Sequence, residues 1–173
     1  ILRGMCKTIL FAHDFSGCAA GVESTVTDLA LALGAEVVVC HVSELGHGLP
    51  PDTLITPRGE EHPRRLDDFT LQAAAMRLDA IAKRLLARGV KCRTTALLGP
   101  IPTGILRAAQ EQSAELIVMG THGRTGLDLL PHPVSTTNAS YTNDLNLRLV
   151  RIGQRSQSAN RGIGVILDCH AEN

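Results

Sequence analysis

Apolar residues come in two alternating patterns along the first two thirds of the chain. Some are short unbroken runs: Ile9-Leu10-Phe11-Ala12, Val37-Val38-Val39-Cys40 and Leu116-Ile117-Val118-Met119. Runs this short, rich in β-branched residues, predict strands buried on both faces, over Cys6–His13, Ala35–Val42 and the segment from Leu116. Between them lie stripes at helical spacing. Val22, Val26, Leu29, Ala30 and Leu33 predict a helix from Cys18 to Leu33, stopped by Gly34. Leu71, Ala74, Leu78, Ile81 and Leu85 predict a second from Asp67 to Arg88, stopped by Gly89. Ile105, Ala108 and Ala109 predict a third over Gly104–Ser113, preceded by a turn at Gly99–Thr103. Val90–Leu98 alternates apolar with polar residues and suits a strand near a sheet edge.

The resulting order, βαβαβαβ, implies an α/β fold: a doubly wound, mostly parallel sheet covered by helices on both faces. In such folds ligands bind beyond the carboxyl ends of the strands, where the strand order reverses. Two loops carry chemistry for that place. His13-Asp14-Phe15-Ser16 follows the first strand, and Asp14 or Ser16 can cap the next helix. Gly120-Thr121-His122-Gly123-Arg124-Thr125-Gly126 follows the fourth. Its glycines let backbone N–H groups approach a phosphate, with Arg124 beside them. Taken alone, the same stretch also fits an ordinary strand-to-helix turn. Ser43–Leu66 holds four prolines and three glycines and is expected to be an irregular connection.

The pattern dissolves after Asp128. Pro131-His132-Pro133 opposes a regular helix, and residues 135–146 are rich in Ser, Thr and Asn. Leu145–Ile152 can form a strand. Residues 153–173 are expected to be a polar tail in which Ile163–Leu167 is a candidate extra strand. Met5 is the expected natural start, with residues 1–4 an added or misread extension. The change near Leu129 fits either a shifted reading frame or a divergent end.

Composition narrows the function classes. With 44% hydrophobic residues in 173, the chain suffices for one well-cored domain, here placed over residues 5–152. Acids and bases balance at 17 each, so no bulk charge points to nucleic acid or an anionic membrane. The aromatics, Phe11, Phe15, Phe69 and Tyr141, are too few for a base-stacking platform. No apolar run reaches membrane-spanning length, and no signal peptide is expected at the start. Five cysteines without a CxxC spacing suit buried cytosolic thiols rather than disulfides or a zinc knuckle. His13, His41 and His122 stand near the ends of neighbouring strands, but strand side chains alternate faces, and no metal site is expected from them. No nucleophile–base pair is identifiable, so catalytic residues are not assigned.

The segments KTILFAHDFS (7–16), LALALGAEVVVCHV (29–42) and GILRAAQEQSAELIVMGTHGRTGLD (104–128), in that order, resemble the universal stress protein A family. The resemblance spans about Met5 to Asp128. It implies about five strands in the order 3-2-1-4-5, a cytoplasmic stress-response role and a homodimer, with signalling partners it does not name. One branch of that family binds ATP through a G-x2-G-x9-G-S/T motif; the other lacks the motif and does not. By resemblance Ala12, His13 and Asp14 match the loop that contacts the nucleoside, Val42 matches the adenine contact, and Met119, Gly120, His122 and Gly123 match the start of the phosphate loop. The sequence departs from the motif at Pro133-Val134, where Gly and Ser/Thr belong, and Pro133 has no N–H to offer a phosphate. The expectation is regulatory, non-catalytic binding of an adenine nucleotide (AMP, ADP or ATP), with no metal beyond nucleotide-associated Mg and at most slow, incidental hydrolysis. The alternative is a structural or interaction module that has lost the ligand.

Overall fold

Continuous apolar runs cannot leave either face in water, and here each is sandwiched between helices. The computed structural model describes residues 6–46, 48–120, 149–152 and 163–167. In chain order the elements are β1 (Thr8–Ala12), α1 (Gly17–Leu33), β2 (Glu36–Ser43), β3 (Leu54–Ile55), β4 (Arg64–Arg65), α2 (Leu66–Ala87), β5 (Cys92–Leu98), α3 (Ile101–Glu111), β6 (Leu116–Gly120), β7 (Leu149–Ile152) and β8 (Ile163–Leu167).

The main sheet has the strand order β5-β2-β1-β6-β8-β7, with every neighbour parallel. Its first four strands follow the expected order 3-2-1-4. Beyond them the sheet has six strands rather than about five, and the place beside β6 goes to Ile163–Leu167, with Leu149–Ile152 outside it. Ile163–Leu167 is the more apolar of the two, whereas Leu149–Ile152 carries Arg151, which suits an edge. The expected loop over Ser43–Leu66 contains a short antiparallel pair, Leu54 opposite Arg65 and Ile55 opposite Arg64.

Strand side chains alternate, so each face has its own core. Ile9, Phe11, Val37, Val39, Leu116 and Val118 pack with Val22, Val26 and Ala30 of α1 and with Leu78, Ile81 and Leu85 of α2. On the opposite face Leu10, Val38, Cys40, Val42 and Ile117 pack with Ala108 and Ala109 of α3. Most of the expected stripe positions are therefore buried, with Leu29, Leu33, Leu71 and Ile105 half-buried at the margins. Gly34 ends α1 in the left-handed conformation at φ 69°, where a Cβ would be strained. The third helix starts at Ile101, three residues before the expected Gly104, because Pro102 stands in its first turn, where no N–H is required.

Candidate functional site

β1 lies between β2 and β6, with Ala12 opposite both Cys40 and Met119. From β1 the chain moves outward to β2 and β5, then returns to β6 on the other side of β1. The strand order therefore reverses between β1 and β6, and the carboxyl ends of β1, β2 and β6 meet at one edge. That brings Ala12, His13, Asp14, Val42, Met119 and Gly120 to the same end of three adjacent strands. His122, Gly123 and Arg124, and the Pro133-Val134 departure, lie outside the described residues.

Within this group the side chains divide between the two faces. Val42 and Ala12 are buried, and Val42 and Met119 belong to the core under α3. Gly104 of α3 sits directly on Val42: a Cβ at Gly104 would lie 2.5 Å from Val42 Cγ1. The His13 ring lies on the α1–α2 side, edge-on to Phe11 at 5.2 Å between centroids, and the residue is only 5% exposed.

The loop after β1 is organised by side chains that accept from the backbone just ahead of them. His13 Nδ1 accepts from the Phe15 N–H at 2.9 Å. Asp14 Oδ1 accepts from the Ser16 N–H at 2.9 Å, an Asx turn. Ser16 Oγ accepts from the Ala19 N–H at 3.1 Å and is the N-cap of α1. Of the two candidate caps the structure selects Ser16, while Asp14 shapes the turn that leads to it. Phe15 takes a left-handed φ of 63°, uncommon for a bulky residue. Its ring stacks on His41 at 4.2 Å between centroids, and the Arg77 guanidinium lies 3.9 Å from the ring centroid.

These bonds fix the tautomers. Since His13 Nδ1 accepts, a neutral ring carries its proton on Nε2, which lies 3.4 Å from Glu23 Oε1 without forming a hydrogen bond. His41 Nδ1 lies 2.7 Å from the His13 carbonyl oxygen, which can only accept, so His41 donates through Nδ1. Burial pushes the His13 pKa below 6.5, outweighing the opposite pull of Glu23 and Asp14, and Arg84 adds to the lowering. Burial also lowers His41, against its bond to the His13 carbonyl, and Arg77 lowers it further. Both rings are thus neutral near pH 7. Arg84 of α2 holds Glu23 of α1 through both carboxylate oxygens, at 2.9 and 2.5 Å.

The sequence offered no partner for His13. Glu23 stands four residues after Ala19 and three before Val26, half-buried at the margin of the stripe of α1 rather than on it, so the sequence placed it off the buried face. Among the described residues no group of three His, Cys, Asp or Glu side chains is placed to hold a metal. Burial raises the thiols of Cys6 to about 11, Cys40 to about 12 and Cys92 to about 11, so these three are poor nucleophiles at neutral pH.

Comparison with known proteins gives a consistent set of relatives. Residues 5–138 match the sequence model of the universal stress protein family. A universal stress protein of Thermus aquaticus is 38% identical over 121 residues, covering 69% of this chain and 80% of that protein. The universal stress protein MJ0577 of Methanocaldococcus jannaschii is 26% identical over 131 residues, covering 71% of this chain and 81% of that protein. Its solved structure superposes with a TM-score of 0.61 over 99% of this chain and 100% of that one, at 20% identity. A universal stress family protein from Burkholderia pseudomallei superposes with a TM-score of 0.53 at 28% identity, over 69% of this chain and 84% of that one.

Proposed function

The chain belongs to the universal stress protein family, and from that premise we propose that it binds an adenine nucleotide in a regulatory, non-catalytic way. The supporting observation is the meeting of the Asp14 turn, the end of β2 at Val42 and the end of β6 at Met119–Gly120 around the strand-order reversal. In this reading the Asp14 carboxylate accepts from the nucleoside, and the Val42 backbone reads the adenine edge. Backbone N–H groups from Gly120 to Gly123, with Arg124, take the phosphates. Ala12 and His13 carry the chain from β1 into that turn, beside the nucleoside. With Pro133 where the motif supplies a glycine N–H, AMP or ADP is favoured over tightly held ATP.

Binding energy spent differently in two conformations is how such a domain signals, by shifting the population that its partners recognise. The proposal includes a cytoplasmic homodimer. Among the described residues no helix is long and apolar enough to cross a membrane. The test is isothermal titration with AMP, ADP and ATP of the wild type and of Asp14→Ala. Saturable heat in the wild type and a loss of at least tenfold in the variant are expected. No heat at millimolar nucleotide in either protein sinks the reading. The second reading, an interaction module without ligand, is favoured by Pro133-Val134 and would then stand. Steady phosphate release above background would instead make the protein an enzyme.

A further inference from the structure

His13 is tied down at every polar atom that the loop can reach. Its N–H donates to the Cys40 carbonyl at 2.8 Å, and its carbonyl accepts from His41 Nδ1 at 2.7 Å. Its Nδ1 accepts from the Phe15 N–H at 2.9 Å. The ring itself faces away from the strand ends toward Glu23, so it cannot be a ligand to a nucleotide held between β1 and β6. The Nδ1 bond does something else. It helps hold Phe15 in the left-handed conformation that a side chain disfavours, and so fixes the direction of the adjacent Asp14.

A neutral imidazole can be an acceptor at Nδ1; an imidazolium cannot, because both nitrogens then donate. Protonation would set an N–H against the Phe15 N–H, donor against donor. The added charge has a place to go on the other side, where Nε2 lies 3.4 Å from Glu23 Oε1, within ion-pair range though not hydrogen-bonded to it. The groups facing His13 are known from each packed element. Glu23 of α1 and Asp14 of the loop favour the charged ring, Arg84 of α2 opposes it, and burial opposes it most. On β2, His41 donates to the His13 carbonyl and stacks on the Phe15 ring, over which Arg77 of α2 also lies. A proton taken up by His13 therefore strengthens the Glu23 contact and removes the Phe15 tether.

We propose that His13 is a positioning residue of the nucleotide site: its neutral side chain sets the Asp14–Phe15 turn, and proton uptake releases the turn and the nucleotide with it. The inference rests on the proposed function and adds a proton-dependence to it.

Three proteins test it: wild type, His13→Asn and His13→Ala. Asparagine Oδ1 can accept from the N–H two residues ahead, as Nδ1 does, but does not titrate in this range. AMP affinity is measured by titration calorimetry from about pH 8 to about pH 5. His13→Ala is expected to lose at least tenfold in affinity throughout, and His13→Asn to recover most of that loss at the alkaline end. The ratio of wild-type to Asn dissociation constants cancels titration of the AMP phosphate and of His41. It should rise on acidification with a limiting slope of about tenfold per pH unit for one linked proton. A flat ratio, or an Ala variant that binds as tightly as the wild type, overturns the proposal. Absence of AMP binding by the wild type at every pH would refute the functional reading instead. The turn is then judged in the free protein by NMR: the Phe15 amide signal must move along the His13 titration curve, and indifference of that signal overturns the switch on its own.

Discussion

Two neutral histidines inside a fold carry a definite acid signature. The folded pKa values of His13 and His41 both lie below the ordinary 6.5, chiefly through burial. On acidification the unfolded chain therefore takes up protons before the folded one does. Their contribution to stability is complete above 6.5 and is lost as the pH falls from there toward the folded values. Urea denaturation as a function of pH should show a plateau near neutrality and a decline below it, with a shallower decline in His13→Asn. A stability that rises on acidification through that window would contradict the burial of neutral rings. Ser16 makes a simpler case: Ser16→Ala removes the acceptor for the Ala19 N–H and should cost about 1 kcal/mol, read from the urea midpoint. Composition alone could not choose between Asp14 and Ser16 as the cap, because both side chains suit the role. The choice follows from where Phe15 turns left-handed, which depends on His13 and on the ring stack with His41 and Arg77.

At the scale of elements, α3 packs so tightly on β2 at Gly104 that a Cβ there would collide with the Val42 side chain. A Cβ there would stand 2.5, 2.9 and 3.3 Å from Val42 Cγ1, Cγ2 and Cβ. Alanine is the better helix former by about 1 kcal/mol, but Val42 is β-branched, buried and stiff in χ1, so it cannot swing aside. Overpacking of this kind typically costs about 1–3 kcal/mol, so Gly104→Ala should be net destabilising in urea titrations. Val42→Ala in the same chain should remove most of that penalty, and a double-mutant cycle with no coupling would show that the helix simply moves. The apolar runs and stripes made β1, β2, β6 and the three helices legible because burial on one or both faces is a property of the pattern itself. The β3–β4 pair was not legible, since two residues per strand have no periodicity to read. The early start of α3 was missed because the prolines that suggested a turn are compatible with a helix's first turn.

At the scale of the molecule, the alternation of strands and helices implied parallel pairing, and the edge position of β5 followed from its alternating, Arg93-bearing sequence. The exchange of the last two strands was not readable, because two short segments compete for one edge and only their relative apolarity separates them. The central place of β1 has a thermodynamic consequence for the proposed site. Asp14 stands two residues beyond the strand whose Ile9, Leu10 and Phe11 are completely buried, between β2 and β6. A ligand held there cannot leave its binding groups intact while the core opens, so binding should stabilise the whole fold rather than a loop. A ligand specific for the native state contributes about 2.7 kcal/mol at one hundred times its dissociation constant. For a domain of this size that is a rise of roughly 5–10 °C in a single melting transition. Saturating AMP should produce it, adenosine should produce part of it, and Asp14→Ala should lose it. An equal rise with inorganic phosphate alone would mean an anion site without nucleoside recognition. A rise unchanged in Asp14→Ala would place the ligand away from the β1 loop, and the function proposed for that loop would be wrong.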